Sequence, residues 1–192
     1  MSSIENINPL FIAASELQDK FHQLNWRFCF IGGLAVLRWG EIRMTQDIDL
    51  CLLCGFGFEK NYVPLLLREF KSRISDALNF ALENRVVLIY ASNGVPVDIS
   101  LSGLPFEEAM IKRASYFEFY PDINLLTCSA EDLIILKAFA DRTKDWLDVE
   151  GIIARQAHKL DQSYILKQLA PLCDVKNAPE IISKLESLFQ NR

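Results

Sequence analysis

Apolar residues follow two different spacings along this chain, and each spacing predicts one type of element. Apolar runs and alternating apolar positions predict strands, at residues 28–31, 48–53, 86–90, 95–102, 116–120 and 123–127. Apolar positions three and four residues apart predict helices, at residues 34–39, 59–83, 105–114, 130–142, 144–149, 164–170 and 179–189. Ser129 is the predicted N-cap at the start of the helical C-terminal region.

The order of these elements predicts an α/β (α+β) fold in two domains. Residues 1–128 are expected to form a small mixed sheet flanked by helices, and residues 129–192 a C-terminal lobe of four helices. A chain of 192 residues with 51% hydrophobic residues is long enough to bury a sizeable core.

Composition favours a cytoplasmic protein without a membrane segment. The apolar runs are too short to cross a bilayer, and the N-terminal residues Met1–Asn6 lack the basic character of a secretory leader. Five cysteines without a disulfide framework fit a reducing compartment, and Cys51 and Cys54 are interpreted as buried strand residues rather than zinc ligands. The net charge of −5 argues against tight non-specific binding to nucleic acid, so any RNA contact has to be local.

Asp47 and Asp49 are the most informative residues of the sequence. They are separated by one apolar residue at the start of the predicted strand 48–53. Alternation places both on one face, about 6.6 Å apart at the usual rise per residue. Neighbouring carboxylates on an apolar strand repel each other and lose hydration, which predicts a compensating cation. Carboxylate oxygens suit Mg²⁺ or Mn²⁺.

A Gly-Gly turn precedes the two aspartates. Gly32 and Gly33 stand between the predicted strand 28–31 and the predicted helix 34–39. In such a turn, backbone N–H groups can approach an anion at the helix N-terminus, where the helix dipole favours phosphate. The turn therefore predicts phosphate binding next to the metal.

Arg43 and Thr45 lie in the loop that leads to Asp47. Both can face the same cleft, where Arg43 would contact a phosphate or the acceptor and Thr45 would tie the loop to the Gly-Gly turn. A surface arginine and a capping threonine are the alternative.

Asp98 is the predicted third carboxylate. Val97, Ile99 and Leu101 form the apolar face of their strand, and Asp98 lies on the other face. In an antiparallel pairing with the strand 48–53, Asp98 would complete a three-carboxylate site for two metal ions. The alternative is an ordinary solvent-facing aspartate in a hairpin whose turn is residues 92–94.

A dense charged cluster lies in the helical region. Lys137, Asp141, Lys144 and Asp148 are three or four residues apart, so one helical face could carry them, whereas a turn near Thr143 would fold two helix ends together. Spacing alone favours a solvated face with weak ion pairs.

The first of these motifs resembles the DNA polymerase β-like nucleotidyltransferase superfamily. In that fold a Gly-Gly or Gly-Ser turn precedes an Asp-apolar-Asp strand, and a later strand supplies a third carboxylate. The toxin-type branch of abortive-infection and type IV toxin–antitoxin systems is especially similar to Gly32-Gly33 followed by Arg43-x-Thr45-x-Asp47-Ile48-Asp49-Leu50. Many members carry Ser where this chain has Gly33, so backbone groups are expected to supply the phosphate contacts here.

The resemblance also implies roles for the charged cluster. In toxin-type enzymes, a helix with Leu-x-x-Leu-Lys and a following basic-Asp-x-x-Asp segment lie across the cleft from the metal carboxylates. The matching residues are Leu133, Leu136 and Lys137, then Lys144, Asp145 and Asp148. Lys137 would bind a nucleotide phosphate, and Arg142 or Lys144 would stabilise charge or hold the acceptor. The aspartates would position these cations.

The residues and the resemblance together predict a Mg²⁺-dependent nucleotidyltransferase. It would move a nucleoside monophosphate from ATP or another NTP to an acceptor hydroxyl, with Asp47, Asp49 and Asp98 as metal ligands. The toxin-type resemblance implies RNA, in particular tRNA, or a protein as acceptor, and a cognate antitoxin as partner. Two alternatives remain open: a small-molecule enzyme similar to antibiotic nucleotidyltransferases, and a non-catalytic nucleotide-binding module.

Overall fold

The computed structural model describes residues 7–190, which form two compact units. Residues 1–6, used above as evidence against a secretory leader, lie outside the described residues, as do residues 191–192. The sheet unit comprises residues 7–34 and 44–128, and the helical unit comprises residues 35–43 and 129–190. Within residues 7–190, no helix combines the length and the hydrophobicity needed to cross a bilayer.

The described part of the sheet unit is built on one seven-stranded mixed sheet, with strand order β3-β4-β5-β2-β1-β7-β6. The strands β2 and β5 are parallel, as are β1 and β7, and the other neighbours are antiparallel. This arrangement confirms the predicted α/β class with a mixed sheet. The strands are β1 (Phe28–Phe30), β2 (Ile48–Leu53), β3 (Lys71–Ser72), β4 (Val86–Tyr90), β5 (Pro96–Ser102), β6 (Ser115–Tyr120) and β7 (Ile123–Thr127).

The central strands β2 and β5 place apolar and acidic residues on opposite faces. Leu50 and Ile99 are fully buried and in register with each other. Asp49 and Asp98 are also in register, one residue earlier along each strand. Because successive side chains point to opposite faces, the two aspartates lie on the face opposite Leu50 and Ile99, as the alternation predicted.

The parallel pairing of β2 and β5 corrects the antiparallel pairing predicted for Asp98. The turn at residues 92–94 joins β5 to β4 in the predicted hairpin, and β4 lies on the side of β5 away from β2. Between β2 and β4 the chain forms α3 (Val63–Glu69) and α4 (Ala77–Asn84), which belong to the long crossover that parallel strands need. Alternation determines the face of a side chain but not the direction of its strand.

The predicted continuous helix over residues 59–83 is wrong. Phe70 ends α3 in an extended conformation, with φ −123° and ψ 144°, and β3 then pairs with β4. Ser72 closes the following turn, because its hydroxyl accepts a hydrogen bond from the N–H of Ile74 at 3.1 Å and donates to the Ile74 carbonyl at 2.6 Å. Each of α3 and α4 buries one face. Apolar residues therefore recur at helical spacing on both sides of β3, and the sequence pattern does not reveal the break.

Three further helices begin in the sheet unit. The strand β1 leads directly into α2 (Gly32–Trp39), and α5 (Pro105–Arg113) confirms the helix predicted at residues 105–114. No element was predicted where α1 (Pro9–Gln23) lies. Two neighbouring residues mark the start of this helix. Pro9 is its first residue, and the Asn8 side chain accepts a hydrogen bond from the N–H of Leu10 at 3.0 Å.

The described residues from 129 onward contain four α-helices, as predicted. They are α6 (Ala130–Ala140), α7 (Thr143–Gln156), α8 (Gln162–Lys176) and α9 (Glu180–Gln190). Ser129 is the predicted N-cap of α6, because its hydroxyl accepts a hydrogen bond from the N–H of Asp132 at 3.2 Å. The chain turns between Ala140 and Thr143, so α6 and α7 are separate helices. The helix α8 continues through Pro171, beyond its predicted end at residue 170.

Candidate active site

Asp49 lies against the turn between β1 and α2. Gly32 has φ +54°, and a Cβ built on it would lie 1.9 Å from Asp49 Oδ2. A residue without a side chain is therefore required for the carboxylate to approach the backbone this closely. Because α2 begins at Gly32, the positive end of the helix dipole offsets the charge of Asp49. The Gly-Gly turn and the carboxylate strand are thus in direct contact.

Thr45 fills the space beside Gly33. A Cβ on Gly33 would lie 2.1 Å from Thr45 Oγ1. The same hydroxyl donates to Asp47 Oδ1 and to the Asp47 carbonyl, each at 3.3 Å. Thr45 therefore connects the loop before β2 both to the turn and to the first aspartate, and its hydroxyl occupies the volume that a serine at position 33 would need.

Asp98 has an ion-pair partner that the sequence did not indicate. The Arg73 guanidinium donates from Nη1 to Asp98 Oδ1, and the two side chains are 28% and 37% exposed. Arg73 follows β3, inside the stretch that the spacing assigned to a single helix. The spacing that predicted one helix gave no indication of where Arg73 lies relative to Asp98. The pairing depends on β3, which holds Arg73 beside β4.

The three aspartates supply the donor chemistry of a divalent-metal site but not a preformed cluster. Asp49 and Asp98 are register partners on neighbouring strands, whose backbones lie about 4.8 Å apart. Carboxylate oxygens are the ligands that Mg²⁺ and Mn²⁺ prefer, so the donor set fits such an ion. Across residues 7–190, however, no three acidic, histidine or cysteine side chains are already grouped around a common point. Arg73 occupies one oxygen of Asp98.

Cys51 lies within β2, and Cys54 directly follows that strand. Both are buried, and burial raises the pKa of the Cys51 thiol to about 12. Burial also raises the pKa of the Cys54 thiol. The predicted burial of the two residues is therefore confirmed.

Lys137 is buried between two aspartates in the helical unit. Its Nζ lies 3.1 Å from Asp145 Oδ1 and 2.6 Å from Asp148 Oδ2. The exposed fractions of the three side chains are 8%, 2% and 7%. The turn between α6 and α7 brings Lys137 to the two aspartates, so the alternative of a solvated helical face does not hold for these residues.

Two arginines extend this ion-pair network. Arg43 binds Asp148 with both arms of its guanidinium, Nε to Oδ1 at 2.8 Å and Nη2 to Oδ2 at 2.9 Å, and Arg142 Nε donates to Asp145 Oδ2 at 2.5 Å. Burial raises the pKa of Asp145 and of Asp148, but the hydrogen bonds from their cationic partners outweigh burial, so both pKa values lie below the ordinary range. Three cations therefore share these two carboxylates.

Lys144 is separate from this network. It is exposed, and within residues 7–190 it forms no ion pair. Of the four predicted cations, the structure therefore brings Arg43, Lys137 and Arg142 together around two aspartates and leaves Lys144 in solvent.

The sheet unit also contains a groove with a volume of about 470 Å³, lined by other residues than the three aspartates. Glu16 and Glu69 line it together with Lys71 and the aromatic rings of Phe70 and Tyr90. Glu69 is already paired with Lys20 at 2.6 Å, and Asp47, Asp49 and Asp98 are not part of the lining. We therefore do not assign nucleotide binding to this groove.

Comparison with known proteins connects this arrangement to nucleotidyl transfer. The model of a family described as nucleotidyl transferase AbiEii toxin, type IV TA system, matches residues 17–192. No curated protein matches the sequence significantly.

Two solved structures share the fold of this chain. An antigenic nucleotidyltransferase-like protein from Paracoccidioides brasiliensis is 17% identical, with a TM-score of 0.53 over 92% of this chain and 91% of that one. The lincosamide antibiotic adenylyltransferase LnuA, bound to lincomycin, is 14% identical, with a TM-score of 0.50 over 73% of this chain and 94% of that one.

Proposed function

This chain belongs to the AbiEii nucleotidyl transferase toxin family of type IV toxin–antitoxin systems, and from that premise we propose a Mg²⁺-dependent transfer reaction. The enzyme moves a nucleoside monophosphate from an NTP to an acceptor hydroxyl and releases pyrophosphate. The bond from the α-phosphorus to the acceptor oxygen forms as the bond to the pyrophosphate oxygen breaks, and the acceptor hydroxyl loses its proton.

The contact between Gly32 and Asp49 is the observation that carries the proposal. It places a carboxylate at the N-terminus of a helix whose first residues are glycines, next to a second carboxylate, Asp98, in register on the neighbouring strand. A helix N-terminus favours phosphate, and carboxylates favour a divalent cation. A metal–triphosphate complex carries both of these groups.

Asp47, Asp49 and Asp98 are the residues proposed to hold the metal. Mg²⁺ or Mn²⁺ bound there would neutralise the charge of the triphosphate and polarise its phosphoryl oxygens. The backbone at Gly32 and Gly33 binds phosphate oxygens, and Thr45 holds Asp47 and the turn in place. Asp98 is also proposed to accept the proton of the acceptor hydroxyl.

The cations of the helical unit are proposed to bind phosphate. Lys137, Arg142 and Arg43 form a network around Asp145 and Asp148, and these aspartates orient the three cations. Lys144, which is exposed, is proposed to contact the acceptor or the leaving group. These assignments rest on charge and hydrogen bonding within the helical unit.

The acceptor is proposed to be RNA, in particular tRNA, or a protein, and the chain is proposed to have a cognate antitoxin. Both proposals are supported by the description of the family as a toxin of a type IV system. The net charge of −5 agrees with a protein acceptor or with a local RNA contact. The likeness to an antibiotic adenylyltransferase concerns the fold, and no residue contact favours a small-molecule acceptor.

Calorimetric titration of the four NTPs, with and without Mg²⁺, tests the proposal. Wild-type protein should bind at least one NTP only with Mg²⁺, and Asp49→Asn should weaken that binding by more than about tenfold. Asp122→Asn is the matched control, because Asp122 is exposed and has φ 67°, a conformation that asparagine tolerates well. Equal Mg²⁺-dependent affinities for all three proteins would contradict the proposed metal site.

A further inference from the structure

A lateral row of residues crosses β2, β5 and β4 and ends at Arg73, which follows β3. Asp49 in β2 is in register with Asp98 in β5, and Asp98 is in register with Leu88 in β4. The N–H of Arg73, directly after β3, donates to the Leu88 carbonyl at 3.0 Å. Arg73 therefore lies two strands away from Asp98, and its long side chain spans β4 to reach the carboxylate.

This row places a cation beside Asp98, one of two carboxylates that repel each other. Asp49 and Asp98 are neighbours on the same face of the sheet. The N-terminus of α2 offsets the charge of Asp49, and the Arg73 guanidinium offsets the charge of Asp98. Both members of the Arg73–Asp98 pair are more than half buried, so water and salt screen the pair less than an exposed one.

We propose that Arg73 is an internal cation that competes with the divalent metal for Asp98. This inference rests on the proposed function, because it takes Asp98 as a metal ligand. An oxygen that accepts a hydrogen bond from a guanidinium has part of its lone-pair density engaged, so a metal that binds there displaces or weakens the ion pair. In the nucleotide-free protein, binding of the metal therefore breaks or weakens the Arg73–Asp98 ion pair, and this cost lowers the affinity for the metal.

Nucleotide changes this competition. A triphosphate gives the displaced guanidinium another anionic partner, so the cost of breaking the Arg73–Asp98 pair is offset when metal and nucleotide bind together. By linkage, the metal and the NTP should then each strengthen the binding of the other. Arg73 is thus a positioning residue that favours loading of the metal–NTP complex over loading of the bare metal.

Titration of Mn²⁺ into full-length, nucleotide-free protein tests this proposal. Arg73→Gln removes the competing cation, so it should bind Mn²⁺ about tenfold more tightly than wild type. Lys71→Gln is the matched control: it removes the same charge from an exposed residue of the adjoining strand β3 without touching Asp98. Its Mn²⁺ affinity should equal that of wild type.

The outcomes separate this inference from the proposed function. If wild type binds Mn²⁺, Asp49→Asn abolishes the binding, and Arg73→Gln has the wild-type affinity, competition by Arg73 is overturned while the metal site stands. Equal strengthening by Lys71→Gln also overturns it, because the effect would then be a general loss of charge. If neither wild type nor Arg73→Gln binds Mn²⁺, competition by Arg73 is overturned, and the titration of NTPs with and without Mg²⁺ decides the metal site separately. Binding by Arg73→Gln alone supports the inference.

A second measurement uses the wild-type protein and so does not depend on the folding of Arg73→Gln. The guanidinium signals of isotope-labelled arginine are followed by NMR during a Mg²⁺ titration, and Arg73 is assigned by the loss of its signal in Arg73→Lys. Release from Asp98 should shift the Arg73 Nε–Hε signal and speed rotation of the guanidinium. Saturation with Mg²⁺ that leaves this signal unchanged overturns the proposal.

Discussion

Single residues determine how closely the glycine turn and the acidic strand approach each other. Gly32 allows the Asp49 carboxylate to lie against the backbone, and Gly33 leaves room for the Thr45 hydroxyl. Gly33, unlike Gly32, has no positive φ, so its backbone conformation is open to any residue. The requirement for glycine at position 33 is therefore steric and depends on Thr45.

Gly33→Ala should destabilise the protein by about 1–3 kcal/mol, because the new methyl group overlaps Thr45. Thr45→Gly removes the overlapping side chain, so the double variant should recover about 1 kcal/mol relative to the sum of the two single changes. Urea unfolding of the four proteins gives this coupling energy. Strict additivity would show that Thr45 is not the group that excludes a side chain at position 33.

At the scale of elements, the junction between α7 and α8 contains a residue with an unusual backbone conformation. Ala157, which follows α7 as the first residue of a short 3-10 turn, has φ 48° and ψ −124°. This combination is accessible to glycine but crowds a Cβ, and such residues cost about 1–3 kcal/mol. The strain occurs where α7 must end so that the chain can turn toward α8.

Ala157→Gly should therefore raise the stability by about 1 kcal/mol, which is the relief of strain minus the extra flexibility of glycine in the unfolded chain. For a chain of this size the melting temperature should rise by about 2–4 °C. Ala154→Gly, at an exposed position inside α7, is the control and should lower stability by about 1 kcal/mol. Equal destabilisation by both changes would contradict the strain at Ala157.

For the molecule as a whole, the ion-pair network links stability to pH. The pKa values of Asp145 and Asp148 are lowered in the folded state because hydrogen bonds from cations outweigh burial. The unfolded chain therefore binds these protons first as pH falls. Above about pH 4, the pKa of an aspartate in the unfolded chain, the network contributes its full stability. This contribution is lost as pH falls from there toward the lower pKa values of Asp145 and Asp148 in the folded protein.

Asp148→Asn should lower the free energy of unfolding by about 3 kcal/mol at pH 7, because Lys137 and Arg43 lose a charged partner. The value lies at the low end of the range for buried pairs, because Arg43 is 43% exposed and Lys137 keeps Asp145. The difference from wild type should shrink as pH falls below about 4, because there the unfolded wild-type chain binds a proton at Asp148 before the folded state does.

Denaturant unfolding from pH 7 to pH 3 measures this convergence. Asp174→Asn, at an exposed position in α8, is the control and should match wild type at every pH. If the difference in the free energy of unfolding between Asp148→Asn and wild type stayed constant down to pH 3, protonation of Asp148 would not be coupled to unfolding.

The sequence by itself determined the features that depend on near neighbours along the chain. The alternation in β2 and β5 determined the faces of Asp49 and Asp98, because successive side chains of any strand point to opposite sides. The helix start at Ser129 and the hairpin turn at residues 92–94 follow from the conformational preferences of the residues themselves. The resemblance to the nucleotidyltransferases rested on motifs of this local kind.

Only the tertiary structure decided the contacts between distant segments. The direction of β5 relative to β2 depends on the crossover between them, and the end of α3 at Phe70 depends on the pairing of β3 with β4. The pairing of Arg73 with Asp98 and the burial of Lys137 follow from those arrangements. The spacing of apolar residues indicates which face of a segment is buried, but not which distant segment packs against that face. Charged residues form ion pairs with the residues that the fold places nearby.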